Sequence, residues 1–405
     1  MRSAMLKSCL NQFDLVHKTV LVRTDWNVPL DAFDAIADDH KLKASLNTLQ
    51  FIKEQGAKII IITHWGQPKN QESCYSTEQF LPWLFKQGFT PCFAKTIQEA
   101  TALKKHDTRH DIIVLENIRF FAQEQTTDLR FGQSLADLGD YFVQDAFGAL
   151  HRNDNSITIL PSLFEKNKRT IGFLVEQELQ VLEKFTTHIT NPFVVVLGGN
   201  KIKTKIPVIK NLINKADFII ILPALAFTFL KALGENVGTS LIEDSLLITA
   251  QEIINTLKQT KTKLIVPIDF RVTNGTFNNP EQTFIIKDFN AASLKTSNNV
   301  SGISIGPETV SLLKPLIASA NTLFFNGPCG NSNYPKTTSE LKDLLTLMTQ
   351  SSATKLFAGG DTCATFIKLG FKDFVTKHPE SFSTGGGATL EYLAGNDLPG
   401  LKALD

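Results

Sequence analysis

The feature that most constrains this chain is a set of apolar runs that never alternate with polar residues. Ile59-Ile-Ile-Ile62 and Phe218-Ile-Ile-Ile221 are apolar at every position. Strands built from them must be covered on both faces, which is the condition of parallel sheets wrapped by helices. Similar runs give candidate strands at Thr19–Arg23, Ala57–Thr63, Asp111–Leu115, Asp140–Gln144, Phe193–Leu197, Asp217–Leu222, Lys263–Pro267, Thr322–Phe325 and Thr354–Phe357. Helix-length segments separate them, so the expected class is α/β, in two doubly wound halves. At 405 residues the chain is too long for one typical core. The boundary is readable where Val175–His188 carries helical spacing (Leu174, Leu179, Leu182, Phe185) and stops before Asn191-Pro192. That segment is expected to connect an N-terminal domain, 1–182, to a C-terminal domain, 183–389.

Composition excludes several functions. The balance of 41 basic and 40 acidic side chains offers no electrostatic case for nucleic acid or an anionic membrane. Anion binding must therefore come from local clusters. The five cysteines (9, 74, 92, 329, 363) are an odd number without a CxxC pair, which fits a reducing compartment with neither a disulfide framework nor a zinc site. The first fifteen residues lack an apolar run of signal-peptide length, and no stretch reaches the roughly 18 residues of a membrane span. A soluble, cytoplasmic protein is expected.

The turns at the strand ends carry the chemistry. Val194-Val-Val-Leu-Gly-Gly-Asn-Lys-Ile-Lys-Thr-Lys205 is a buried strand, a glycine break, and two lysines four residues apart, a spacing that shares one helix face. A helix start there would aim Lys201, Lys205 and free N–H groups at a phosphate; the competing reading is two solvated lysines. The other strands lead into Arg23-Thr-Asp-Trp-Asn27, His64-Trp-Gly-Gln67, Glu116-Asn-Ile-Arg119, Asp145-Ala-Phe-Gly148 with His151-Arg152, Asn326-Gly-Pro328 and Gly359-Gly-Asp-Thr362. Ligands of open α/β sheets sit beyond the carboxyl ends of the strands. The first half supplies Arg23, His64, Arg119 and Arg152, suited to a small anion held by guanidinium forks. The second supplies glycines, lysines and Asp361, suited to polyphosphate with a metal. Together they describe a two-lobed phosphotransferase. No GxxxxGK[ST] loop and no GxGxxG after a strand are present, against a P-loop kinase or a dinucleotide dehydrogenase.

These segments, with Ile305-Gly-Pro307, Ser383-Thr-Gly-Gly-Gly-Ala388 and Leu398-Pro-Gly400, resemble the phosphoglycerate kinase family in order from about residue 13 to residue 400. The resemblance implies two Rossmann-like domains joined by a hinge, with the tail 390–405 packing back on the first. It implies reversible phosphoryl transfer between 1,3-bisphosphoglycerate and ADP, giving 3-phosphoglycerate and ATP, with Mg2+, by a monomer. Carried over by position, Asp25, Trp26, Asn27, Lys41, His64, Gln67, Arg119 and Arg152 would form the acid-binding set. Lys205, Asn333, Gly359, Gly360, Asp361 and Thr362 would hold the nucleotide, with Asp361 facing the metal. Lys201, Lys41 and Arg23 would act on the phosphoryl group, and Gly385, Gly386 and Gly387 would offer it N–H groups.

Bland roles compete at several of these positions. Arg23 and Asp25 could simply pair with each other, His64 could be a satisfied histidine beside the sheet, Asp361 could cap its helix, and Trp26 and Trp65 suit packing. The chain also departs from the family pattern. Lys41 and Gln67 stand for arginines, Asp154 for a histidine, Thr204 for an acid between the two lysines, Leu222-Pro-Ala224 for three glycines, and Asn333 for a carboxylate. Lys41 keeps the charge but not the planar fork, and Leu222-Pro-Ala224 would place side chains where backbone approaches the nucleoside. An active kinase is therefore expected, with a degenerate paralogue that binds ligand or a partner with little turnover as the alternative.

Overall fold

The apolar runs become strands covered on both faces. In the computed structural model, which describes residues 9–31, 33, 35–280, 282–289 and 300–405, every residue of β1 (Thr19–Thr24) is buried, and so is all of β2 (Lys58–Thr63) beyond its first residue. They belong to a sheet with β3 (Pro91–Ala94), β4 (Ile112–Leu115), β5 (Tyr141–Asp145) and β6 (Arg169–Ile171), in the order β3-β4-β2-β1-β5-β6. A second sheet joins β7 (Phe193–Gly199), β8 (Phe218–Ala224), β9 (Lys263–Ile265), β13 (Thr322–Asn326), β14 (Thr354–Ala358) and β15 (Phe382–Ser383), in the order β15-β14-β13-β7-β8-β9. All pairings in both sheets are parallel. A small antiparallel sheet, β11-β10-β12, is made by β10 (Phe270–Thr273), β11 (Thr283–Ile286) and β12 (Ser301–Ile305).

The chain divides into two compact units, Met1–Gln180 with Asp397–Asp405, and Val181–Asn396. The division falls inside the helix Phe173–Glu183. Its start is fixed by Asp145 at the end of β5, whose Oδ1 accepts the amide hydrogens of Leu174 and Val175 at 3.1 and 3.4 Å. Gly172 must be glycine, because a Cβ there would collide with that carboxylate. Burial pushes the Asp145 carboxyl up to about 7, with Thr48 and the two amides offsetting part of the shift.

The strand orders locate the ligand edges. From β1 the chain moves one way through β2, β3 and β4 before crossing to β5 and β6, so the first sheet reverses between β1 and β5. From β7 it moves to β8 and β9 and returns through β13 to β15, so the second reverses between β7 and β13. Crevices for ligands open at such reversal points, beyond the carboxyl ends. At the second of them two glycine turns lie back to back. Gly327 has φ +86°, and a Cβ on either Gly198 or Gly327 would collide with the carbonyl of the other.

Gly327→Ala is therefore expected to lower the urea midpoint and to cost about 1–3 kcal/mol, from the positive φ and the backbone contact together. A midpoint equal to wild type would show that the two turns are not this tightly apposed.

Candidate active site

In the N-terminal unit, four polar turns meet at the carboxyl edge of the first sheet. The turn after β2 is organised by one residue. Gly66 (φ +61°) donates its N–H to Asn27 Oδ1 at 2.9 Å, and its carbonyl accepts from Arg119 Nη1. Tyr75 fills the space a Gly66 side chain would need. Asn117 ties the turns after β2 and β4 together: its Oδ1 accepts from Trp65 N (3.2 Å) and Arg119 N (3.1 Å), and its Nδ2 donates to the carbonyls of Trp65 and Tyr75.

Each basic group meets a different answer to its charge. Arg23 has no exposed surface; it donates to Ser156 Oγ at 2.7 Å and to the Thr24 carbonyl, and lies 3.9 Å from Glu124. Lys41 reaches Asp25 Oδ2 at 2.8 Å, so Asp25 pairs with Lys41, the residue standing for an arginine, rather than with Arg23. Burial raises the Asp25 carboxyl, but Lys41, by charge and hydrogen bond, and Arg23 outweigh it and hold it below the usual carboxylate range. Arg152 donates to Asp154 at 2.8 Å. Arg119 is different, because its Nε and Nη2 are buried without a partner. Burial and the neighbouring Arg152 and Arg23 lower its pKa, with Asp154 and Glu124 opposing.

His64 is buried and stays neutral, its pKa driven well below 6.5 by burial and then by Arg23, Arg119 and Lys41, with Asp25 opposing. Arg23 Nη2, 3.3 Å from Nδ1, can only donate, which leaves the ring proton on Nε2, the nitrogen nearer Asp25 (3.9 Å). Trp26 does not present its ring to this edge. It has no exposed surface, packs edge-on against Phe80 and Trp83, and donates its indole N–H to Ser45. Gln67 is exposed. Arg23, expected to act on the reacting group, has no exposed surface here and faces His64 Nδ1.

In the C-terminal unit, Lys201 is the N-cap of the helix Ile202–Leu212 and is exposed, whereas Lys205 is 5% exposed, so the two are not a pair of solvated lysines. Burial, with Lys201 adding to it and Asp361 opposing, lowers Lys205 to about 8. The helix Gly360–Lys368 starts from Gly359 (φ +100°), which is its N-cap; Asp361 therefore lies in the first turn, exposed, and does not cap. Thr362 Oγ1 accepts from Gly327 N–H at 3.2 Å, and Asn326 Oδ1 is buried without a partner beside them. Gly386 begins the helix Gly386–Leu393, with Gly385 as its N-cap, and a Cβ on Gly386 would press on Gly359. Gly387 is the next residue of that first turn. Two helix N-termini and Lys205 thus converge on one edge, a setting that favours phosphate.

Two of this unit's departures from the family pattern are Leu222-Pro-Ala224 and Asn333. Leu222 and Pro223 are buried residues of β8, with Leu222 in the core against Gly198, so only Ala224 of the three is partly exposed. Asn333 is exposed and accepts from Lys368, at the far end of the helix that Asp361 opens.

Sequence reading missed Asn117, Ser156, Glu124 and Asn326, which position the others. Asn117 and Asn326 lie inside the polar turns already singled out, and their signal was a buried amide at a strand end. Nothing in the local sequence marks Glu124 as the partner of Arg23.

An anion set on one doubly wound unit and a phosphate set on another define a phosphoryl-transfer enzyme of the two-unit α/β class. The chain belongs to the phosphoglycerate kinase family, whose profile matches residues 10–396. It is 36% identical over 408 residues to a phosphoglycerate kinase of Aquifex aeolicus, covering 98% of each chain. It is 34% identical to one of Nitratiruptor sp., covering 96% of this chain and 95% of that one. The solved structure of the phosphoglycerate kinase of Coxiella burnetii superposes with a TM-score of 0.81 at 29% identity, covering 98% of both chains.

Burial pushes Glu124 up to about 7, partly offset by Arg23 and by two hydrogen bonds from Ser156. A carboxyl whose pKa is raised by folding stabilises fully below its unfolded value, near 4.5, and that contribution is lost as pH rises through about 7. Between pH 5 and pH 8 the wild type should lose stability relative to Glu124→Gln, on the order of 3 kcal/mol at most. Parallel urea-midpoint profiles for the two proteins would contradict the assignment.

Proposed function

We propose that this chain is an active phosphoglycerate kinase, catalysing reversible phosphoryl transfer between 1,3-bisphosphoglycerate and ADP to give 3-phosphoglycerate and ATP, as a cytoplasmic monomer. The observation that carries this reading is Arg119. A guanidinium with two buried, unpartnered nitrogens is costly to maintain unless an anion completes it. A small acid bearing phosphate and carboxylate supplies planar oxygen pairs that a guanidinium fork matches. His64, neutral, donates a hydrogen bond without adding charge, and Arg152 and the Asp25–Lys41 pair border the same edge. Among the described residues no helix is long and apolar enough to cross a membrane.

The nucleotide phosphates are assigned to Lys205, the N–H groups of the helix that begins at Gly360, and Thr362. Lys201, exposed at its helix start, is the cation for the phosphoryl group in transfer, joined by N–H groups from Gly385 to Gly387. Asp361 fits a magnesium ion: its carboxylate is a hard oxygen ligand at the surface, with no hydrogen-bonding partner among the described residues, and magnesium binds through one or two carboxylates plus substrate phosphates. Bound there, the ion would neutralise phosphate charge. Phosphoryl transfer asks the protein mainly for such positioning and charge. The degenerate reading is not favoured, because Lys41 still engages Asp25 and Leu222 and Pro223 are buried in β8.

A coupled assay with 3-phosphoglycerate, ATP and magnesium should show turnover that Lys201→Ala reduces about 100-fold or more; activity no higher than that variant's would reject the proposal. Asp154 draws on the charge of Arg152 through a half-exposed ion pair, worth about 0.5–1 kcal/mol. Asp154→Asn should accordingly lower KM for 3-phosphoglycerate by roughly two- to fivefold, and a raised KM would place Asp154 among the binding groups instead.

Lys205 must be cationic to hold phosphate, and its pKa lies near 8. ADP affinity should therefore weaken as pH rises through about 8, with proton uptake on binding above that value. By calorimetry, Lys205→Ala should bind weakly and without this slope. The same slope in both proteins would assign the titration elsewhere.

A further inference from the structure

We propose that Cys92, Asp107 and His110 form a binding site for a zinc-class divalent cation at the amino-terminal edge of the first sheet, the edge opposite the acid-binding turns. Cys92 is the second residue of β3, Asp107 comes directly after the helix Ile97–His106, and His110 precedes β4. Parallel pairing of β3 with β4 sets Cys92 opposite Ile113 and so brings the 107–110 turn alongside it. The thiol sulfur, a carboxylate oxygen and a ring nitrogen all lie within 4.8 Å of one another. No other trio of such groups converges among the described residues.

The separations suit a shared ion. His110 Nδ1 is 2.7 Å and Cys92 Sγ 3.9 Å from Asp107 Oδ2. Tetrahedral bonds of the usual zinc lengths require ligand atoms about 3.3–3.5 Å apart, so the histidine must move out and the thiol in by roughly half an ångström. The backbone that carries them is already held. Thr90 and Asp111 exchange hydrogen bonds on either side of the cluster, with Thr90 N–H donating to Asp111 Oδ1 at 2.8 Å. Lys58 donates to the Asp107 carbonyl, and Asp107 Oδ1 accepts from Arg109 N–H at 3.0 Å, which orients the carboxylate. Sulfur, imidazole and carboxylate together select a borderline ion over magnesium or calcium. Binding requires the Cys92 thiolate and an unprotonated His110 Nδ1, so the thiol proton leaves to solvent and the ring proton that faces Asp107 is given up from Nδ1, leaving the neutral ring protonated on Nε2; the two anionic ligands then balance the charge of the ion. His110 is partly exposed, leaving the fourth position open to water. The cysteine spacing that argued against a zinc site considered cysteine pairs only; the fold adds a histidine and an aspartate.

The test uses the full chain, stripped of metal and free of nucleotide. Zinc titrated against a chromophoric chelator should show one tight equivalent per chain, and Co2+ should give a thiolate charge-transfer band. Zinc should also protect Cys92 from alkylation, read by peptide mass. Cys92→Ser and His110→Gln should each weaken binding roughly tenfold or more, while Cys74→Ser binds as wild type and kinase turnover is unchanged in all three. If a variant fails to fold, the alkylation pattern of the wild type decides. No tight equivalent, no protection of Cys92, or undiminished binding in both ligand variants would show a hydrogen-bonded cluster only and overturn the proposal.

Discussion

A buried cation has to be answered by something, and in the N-terminal unit the answers are unequal by construction. Arg23 is met by Ser156, the Thr24 carbonyl and Glu124; Lys41 by Asp25; Arg152 by Asp154. Arg119 has one backbone carbonyl and two nitrogens left over. Because burial, and after it the neighbouring guanidinium groups, already depress its pKa, the deficit is electrostatic as well as geometric, and an arriving anion relieves both. The Gly66 backbone makes this possible, since its N–H and its carbonyl, from successive peptide groups, hold Asn27 and Arg119 on either side of one residue. A support that fixes geometry without spending the donors is what a preorganised binding site needs.

The central strands were legible because burial on both faces leaves an unbroken apolar run, and β1, β2, β4, β5, β7, β8, β13 and β14 all carry one. Half of those not read are edges of the two parallel sheets. β3 opens with a proline and is only half buried, while β6 and β15 span three and two residues. An edge strand buries little, so selection for apolar residues there is weak. The antiparallel strands β10 to β12 were missed for another reason: they are short, with one irregular register, and their core is the separate cluster of Phe227, Phe270, Val272 and Phe289. That is tertiary information.

At the site, positions were more legible than partners. The turns that carry Asn27, His64, Arg119, Lys205 and Asp361 do lie at the strand ends where the pattern put them. Which atom faces which could not be read. Arg23, near the end of β1, is fully buried among Ser156, Glu124 and His64 rather than paired with Asp25 two residues on. Asp361 is too far along to cap, because Gly359 takes that place. Leu222, which looked like an obstruction, packs beneath Gly198. In each case the side-chain direction is set by the pleat or by a helix start, which shifts with a single residue.

The C-terminal unit meets its anion by a different physical route. Rather than leaving donors unpaired, it buries Lys205 until its ammonium is only marginally favoured and sets helix starts beside it. Gly198 and Gly327 remove side chains where two turns must touch, and Gly386 lets one helix start close against another at Gly359. Backbone N–H groups at helix starts carry partial positive charge that cannot titrate away, whereas Lys205 can lose its proton near neutrality. A phosphate approaching this edge therefore meets a fixed field plus one adjustable charge, and its own negative charge favours the protonated lysine. On the proposed assignments an anion fills unmet hydrogen bonds in one unit and, above about pH 8, draws a proton onto Lys205 in the other.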